Sequence, residues 1–572
     1  MSIICLVWSS YAGAVAGAMA RRPTADGRVF SSKALEDPAM AEEARQALKS
    51  ASAVFMFRTA EILWDQFDEP IKAIGREIPV VSVSYDPAAW NLSSVTRDEA
   101  QRAYQYLLFG GDDNAARLLD YLAALATGDD TNEVPVPEPQ PWEGLWHPEA
   151  PGPHFDRIED YLSWYGQYCR AKTLTGPKIG LLMSRHYWVN AMPDIESALI
   201  KALEARGLGV ICAFTNTMRD ASLGNKGSGQ WSREVFFDQD GRSRIEALVK
   251  LLPYFSRSNS DSGKDGLDSP AWPSVKLFQE LNVPVFQPVF SSVKTLEEWE
   301  VDPQGLSSEV AWAVAMPEFE GAIEPFFLGG PQSSPQSSVA TAVERRIPHP
   351  ERIDRFCARV SRWVSLRAKS PEERKVAFIL HNDPCSSVEA TVGGAAKLDS
   401  LESLSRILKA MKDRGYQVEA PADGHALIEE IMDHKAISEF RWTTVEEIVG
   451  RGGALTELEL PVYQQWFNSY PPEVRQAVSE IWGAPPGQVM GETPAAMVLD
   501  GRIIITGLNL DSAVVCVQPK RGCAGSRCDG AVCKILHDPN VPPPHQYIAT
   551  YRWLQDGFGA DLIVHVGTHG CQ

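Results

Sequence analysis

Four of the chain's 11 histidines, His537, His545, His565 and His569, crowd toward its C-terminal end. The run Asp561 to Val566 reads as a buried central strand, because Leu562 and Val564 alternate with Ile563 and His565 and leave both faces largely apolar. His565 then ends the strand, and Gly567 and Gly570 permit a tight turn presenting His569. In open α/β sheets, ligands bind outside the carboxyl ends of the strands. Two imidazoles at such an edge can accept protons or bind a metal near neutral pH. The competing reading makes His565 a core histidine bonded to neighbouring backbone, and spacing alone leaves the two evenly balanced.

A second group is VVCVQPKRGCAGSRCDGAVCKILHD, which spaces Cys523, Cys528 and Cys533 evenly in a glycine-containing loop and puts Cys516 on the preceding strand. Converging thiolates favour zinc or an iron–sulfur cluster. The spacing is not that of paired CxxC ligands, so a loop of reduced thiols without metal stays open beside that reading. Cys5, Cys169, Cys212, Cys357, Cys385 and Cys571 are scattered and read as buried thiols rather than a disulfide framework.

The elements that must position these residues repeat one grammar, a short β-rich apolar run beside an amphipathic helix punctuated by glycine. Ala53 to Phe57 and Val80 to Ser84 flank a helical stretch from Ile62 to Ile74. Lys178 to Met183 leads to a helix with Ile195, Leu199 and Leu203 on one face, then to a strand from Val210 to Phe214. Lys375 to Leu380 is a strand followed by Gly393 and Gly394 in a loop. Leu401, Leu404, Leu408 and Met411 then form a helical stripe that stops at Gly415, with Asp399 and Glu402 spaced as a capping box.

The class is α/β, several Rossmann-like or flavodoxin-like parallel-sheet units in a multidomain chain. A length of 572 residues exceeds one hydrophobic core. Pro-rich Val134 to Pro153 and Ser/Gln/Pro-rich Gly330 to Ser338 suggest joints, and polar Ser256 to Asp268 suggests a loop. The expected division is an N-terminal α/β domain over 1–133, a linker and helical segment over 134–175, a second α/β domain over 176–330, a linker and helix over 331–370, and an incomplete core over 371–572.

A net charge of −20 repels phosphate backbones and argues against nucleic acid as a partner. The apolar run Ile3 to Met19 lacks a basic leader, and no later stretch is long and apolar enough to span a bilayer, so a cytoplasmic protein is expected. No Gly-rich loop ends in Gly-Lys-Ser/Thr. Gly224 to Gly229, GNKGSG, is followed by Gln230 and Trp231 and has no phosphate-binding lysine at its end.

YRWLQDGFGADLIVHVGTHG, from Tyr551 to Gly570, resembles the helix, strand and HxGxHG turn of the large chelatase subunits of the CobN and magnesium-chelatase H family. HDPNVPPPHQY, from His537 to Tyr547, resembles that family's Pro-rich segment ending in Pro-Pro-His. Weaker likeness is carried by Met316 to Ile323, around PEFEG, and by VGGAAKLD from Val392 to Asp399. In the family the turn continues into a segment bearing a glutamate, whereas this sequence stops at Gln572, so a C-terminally truncated member is expected, inactive by itself.

The resemblance implies a tetrapyrrole-binding ligase subunit that inserts cobalt into a corrin-ring precursor of the hydrogenobyrinate a,c-diamide type in cobalamin biosynthesis. ATP and magnesium would act on AAA+ type partner subunits. Magnesium insertion into protoporphyrin IX is the alternative, and a carrier that binds the ring without inserting metal is a third. On this reading His565 and His569 are catalytic, as bases or transient ligands, and His537, His545, Asp538, Gly393 and Gly394 lie on the substrate side. The cysteines fall outside the shared pattern and mark a subgroup.

Overall fold

In a computed structural model the chain is described except for residues 22–26, 60–61, 86, 218, 220–223, 253–272, 307–308, 334–343, 383–390, 438–442, 488–496, 520–540 and 568–572. It divides into two compact units, Met1–Val364 and Ser365–Gln572. The architecture is α/β throughout, with mainly parallel sheets, as the alternating grammar of the sequence predicts.

The first unit opens with β1 (Ile3–Val7), β2 (Arg28–Ser31), β3 (Ala53–Phe57) and β4 (Val80–Val83), in the order β2-β1-β3-β4 and all parallel. Every residue of β1 and β3 is buried, which is why these strands are apolar runs without alternation. Helices Ser9–Ala20, Arg97–Phe109 and Asp112–Thr127 cover one face, and Thr96 and Glu99 close a capping box at the second.

A second sheet holds β5 (Gly144–Leu145), β6 (Lys178–Ser184), β7 (Gly209–Thr215), β8 (Ala247–Lys250) and β9 (Val285–Phe286), in the order β5-β7-β6-β8-β9. The helix Asp194–Glu204 packs Ile195, Leu199 and Leu203 against it, the stripe expected from their spacing. A small third sheet joins β10 (Val289–Phe290), β11 (Phe327–Ser333) and β12 (Glu344–Pro348). Gly330 to Ser333 therefore belongs to a strand and not to a joint. Gly329 shows why the composition misleads, since a Cβ there would come within 2.2 Å of the Ile347 carbonyl across the β11–β12 pair.

In the second unit the order is β17 (Leu508–Asn509), β18 (Ala513–Val517), β13 (Val376–Leu380) and β19 (Leu562–Val566), with β18, β13 and β19 parallel. A side sheet holds β14 (Ala454–Leu458), β16 (Arg502–Thr506) and β15 (Val498–Leu499). β13 is the buried centre, all five residues inside. Burying each such Val, Phe, Ile or Leu side chain contributes about 1.5–3 kcal/mol before entropy is charged against it.

Two expectations change here. β19 is an edge strand among the described residues, with Leu562 and His565 exposed, rather than a buried central one. Two-sided apolar character does not by itself distinguish the centre from a covered edge. Asp399 caps the helix Ser400–Asp413 by accepting from Glu402 N, but the Glu402 carboxylate turns away to Gly424 N and Arg406 instead of closing the box.

Candidate functional site

The sheet of the second unit brings its polar residues to the carboxyl end of β13 and its two neighbours. The register places Cys516, Ile379 and His565 in one row across β18, β13 and β19. Backbone pairing continues past the strands, Gln518 N donating to Leu380 O at 2.9 Å and His381 N to Val566 O at 2.9 Å. His381 and Asn382, Gln518, and His565 with Gly567 thus leave three adjacent parallel strands at one edge.

Close backbone approach holds this edge together. A Cβ on Gly567 would stand 2.2 Å from the Cβ of His381, so only glycine lets the β19 exit lie against the β13 exit. Gly393 N donates to His381 O at 2.7 Å, drawing the glycine loop over the end of β13. Gly393 has φ +73°, and a side chain there would collide with Ser400 Oγ. Gly394 donates its N–H to Thr391 O, and Thr391 Oγ1 donates to Asn382 Oδ1 at 2.7 Å. The loop residues singled out in the sequence therefore do sit beside the strand exits.

The helix His545–Arg552 supplies the wall over His565. Tyr547 and Tyr551 are one turn apart on one face, with ring centroids 5.0 Å apart. Tyr551 stacks on the imidazole of His565, centroids 5.8 Å apart and planes 12° from parallel, and its hydroxyl lies 3.4 Å from Nε2. Gln518 Nε2 donates to the Tyr547 hydroxyl at 3.3 Å. A line of polar groups thus runs from the exit of β18, through two tyrosines, to the exit of β19. Burial holds the Tyr551 phenol well above its ordinary pKa, so it stays protonated. Loss of hydration lowers the pKa of His565, which favours the neutral imidazole.

His545 is placed differently from His565. It is 1% exposed and both ring nitrogens are engaged, Nδ1 with Tyr463 Oη at 2.8 Å and Nε2 with Gly483 O at 2.8 Å. A carbonyl can only accept, so Nε2 carries the proton and the tyrosine hydroxyl donates to Nδ1. Burial lowers the pKa of this ring too, and Tyr463 and Phe467 pack edgewise on it. His545 ties the start of its helix to the helix Leu460–Asn468 and to the end of the helix Pro472–Trp482, and so positions Tyr547 and Tyr551 two and six residues further on. Its ring does not face the strand exits.

Cys516 shares the row of His565 but is fully buried, and burial pushes its thiol up to about 12. Cys523, Cys528, Cys533, His537, Asp538 and His569 lie outside the described residues. Among the described residues no group of three His, Cys, Asp or Glu side chains could hold a metal ion.

Sequence reasoning passed over His381, Gln518, Tyr547 and Tyr551. For His381 the signal was available, since it follows directly on the apolar run VAFIL, while His565 is the next-to-last residue of LIVHV. Tyr547 and Tyr551 carry the i, i+4 spacing of a helix face, but their direction toward β19 is a tertiary fact.

The family model described as CobN/Magnesium Chelatase matches residues 104–572. An uncharacterized protein of Methanocaldococcus jannaschii is 37% identical over 100% of this chain and 43% of its own length. The aerobic cobaltochelatase subunit CobN of Sinorhizobium sp is 29% identical over 85% of this chain and 35% of its own length. The chloroplastic magnesium-chelatase subunit ChlH of Oryza sativa subsp. indica is 28% identical over 84% and 32%. The solved structure of the catalytic subunit of cobaltochelatase from Mycobacterium tuberculosis superposes with a TM-score of 0.64 at 23% identity, over 100% of this chain and 43% of that one. That last likeness is one of fold. The chain spans less than half the length of these relatives.

Proposed function

Because the chain belongs to the CobN/magnesium chelatase family, we propose that it forms part of the tetrapyrrole-binding large subunit of an ATP-dependent metal chelatase. The preferred reaction is insertion of cobalt into a corrin-ring precursor, with magnesium insertion into protoporphyrin as the alternative. Relatives named for cobalt and for magnesium are almost equally similar, so the preference rests on the Cys-containing segment and the His-Asp-Pro segment of the sequence.

The observation that carries the reading is the setting of His565. Metal insertion requires that the ion lose water, that two pyrrole protons leave, and that the ring be held open toward the ion. A neutral imidazole at a strand exit can accept a proton or briefly ligate the ion, and Tyr551 fixes the plane in which it does so. His381 on the adjacent exit is a second imidazole within the same edge. His569 belongs to this proposal as the second histidine of the HxGxHG turn, and His537 and Asp538 as residues of the preceding segment.

The energy step is assigned to AAA+ type partner subunits, since the sequence carries no Gly-Lys-Ser/Thr phosphate cradle. No helix among the described residues is long and apolar enough to cross a membrane. The test is metal insertion by the full-length subunit with its ATPase partners, comparing cobalt with magnesium on corrin and porphyrin. Ring binding without insertion of either metal would favour the carrier instead.

A further inference from the structure

A cavity of about 300 Å³ lies within the first unit, far in sequence from the chelatase edge. Its position follows from topology. Trp8 leaves β1, Ser32 leaves β2, His186 follows β6, and Ser291 leaves β10, so strands from three sheets turn their carboxyl ends to one space. This is where α/β sheets receive ligands, and the volume is at the small end of the roughly 300–1,000 Å³ typical of small-molecule sites.

The lining has a flat apolar side and a donor-rich side. Trp8 and His186 have ring centroids 5.9 Å apart, and Tyr187 and Phe290 5.8 Å. The guanidinium of Arg346 lies against both of the latter rings, 3.4 Å and 4.2 Å from their centroids. Lys33, Arg345 and Arg346 line the space with Glu36 as its single carboxylate, and Lys33 Nζ donates to Glu36 Oε2 at 2.7 Å. The partners of the two arginines, Asp194 and Glu196, stand behind the wall.

Three polar atoms of the lining are buried without a hydrogen-bond partner: Ser10 Oγ, His186 Nε2 and Arg346 Nε. His186 Nε2 and Arg346 Nε are donors, and the Ser10 hydroxyl can donate as well as accept. Arg346 spends Nη1 and Nη2 on the same oxygen of Glu196 and leaves Nε over. The amide of Asn190 lies 3.3 Å from His186 Nδ1, which sets the ring proton on Nε2. Burial, with Arg346 and Arg185 nearby, pushes His186 down to about 4, so this neutral tautomer persists at pH 7. Buried donors without acceptors are uncommon in native proteins and call for a reason.

We propose that this cavity binds a small organic carboxylate carried on a planar, unsaturated body, the ring lying along the aromatic wall and the carboxylate meeting the donors of Ser10, His186 and Arg346. The site is independent of the chelatase reading. It is too small for a tetrapyrrole macrocycle with its side chains.

Calorimetry on the full-length protein tests it with benzoate, benzamide and inorganic phosphate as probes. Benzoate is expected to bind with a dissociation constant of about 1 mM or tighter, and the other two at least about tenfold more weakly. Ser10→Ala and His186→Phe, which preserve packing, should each weaken benzoate by about three- to tenfold. The buried Arg346–Glu196 pair is left intact, because breaking it threatens the fold. Absence of benzoate binding, benzamide or phosphate binding as well as benzoate, or unchanged benzoate affinity in both variants would each overturn the proposal.

Discussion

Tyr551 lies nearly parallel to His565, its ring plane only 12° away, and its hydroxyl stands 3.4 Å from Nε2 of the imidazole. The helix and the strand that carry them are thereby joined at the carboxyl edge of the sheet, next to the exit that carries His381.

Tyr551→Phe removes the hydroxyl and keeps the stacked ring. The full-length subunit should fold with an unchanged melting temperature and lose about tenfold in insertion rate, the scale of a misoriented general base. Equal rates in both proteins would show that the hydroxyl does not position His565.

The lowered pKa of His565 sets a pH window. As a base it works in its neutral form, so the insertion rate should rise with pH through a value below the ordinary ~6.5 and be flat from there to about 8. A profile whose rising limb is centred above pH 7 would contradict the neutral-imidazole assignment.

His545 gives a stability prediction of the same sign. Its pKa is lowered in the fold, so the unfolded chain binds more protons than the native one below the unfolded value of ~6.5. Its contribution is complete above that pH and is lost as pH falls toward the folded value. His545→Asn should cost about 2–4 kcal/mol at pH 7 through two lost buried hydrogen bonds and looser packing. Thermal unfolding at pH 7.5 and 5.5 should show a smaller acid destabilisation in the variant than in the wild type.

Gly567→Ala puts a methyl group into the Cβ of His381. The β13 and β19 exits must part, at about 1–3 kcal/mol. Insertion should fall by more than that destabilisation explains, as read from the rate of the folded fraction at a temperature well below its melting point.

Much of this fold was legible because strands buried on both faces are written as unbroken apolar runs. β3, β6 and β13 are placed within a residue or two for that reason. The rank of β19 in its sheet was not legible, since Leu562 and Val564 look the same in a central strand and at an edge. The site was half visible. His565, Gly393 and Gly394 announced themselves by their position after or near strands, while His545 was indistinguishable in sequence from a site histidine, because Tyr463 and Gly483, which engage its ring, lie far away along the chain. The full burial of Cys516, which raises its thiol pKa, likewise comes from neighbours that spacing does not reveal.

The most direct test is the insertion rate of cobalt into a corrin precursor by the full-length subunit with its ATPase partners, measured for wild type and His565→Ala beside tetrapyrrole binding and melting temperature. The expected result is a loss of about 100-fold or more in rate, with ring binding and melting temperature close to wild type. A variant that inserts metal at the wild-type rate in its folded fraction, whether or not it melts earlier, would contradict the assignment and make His565 a structural histidine.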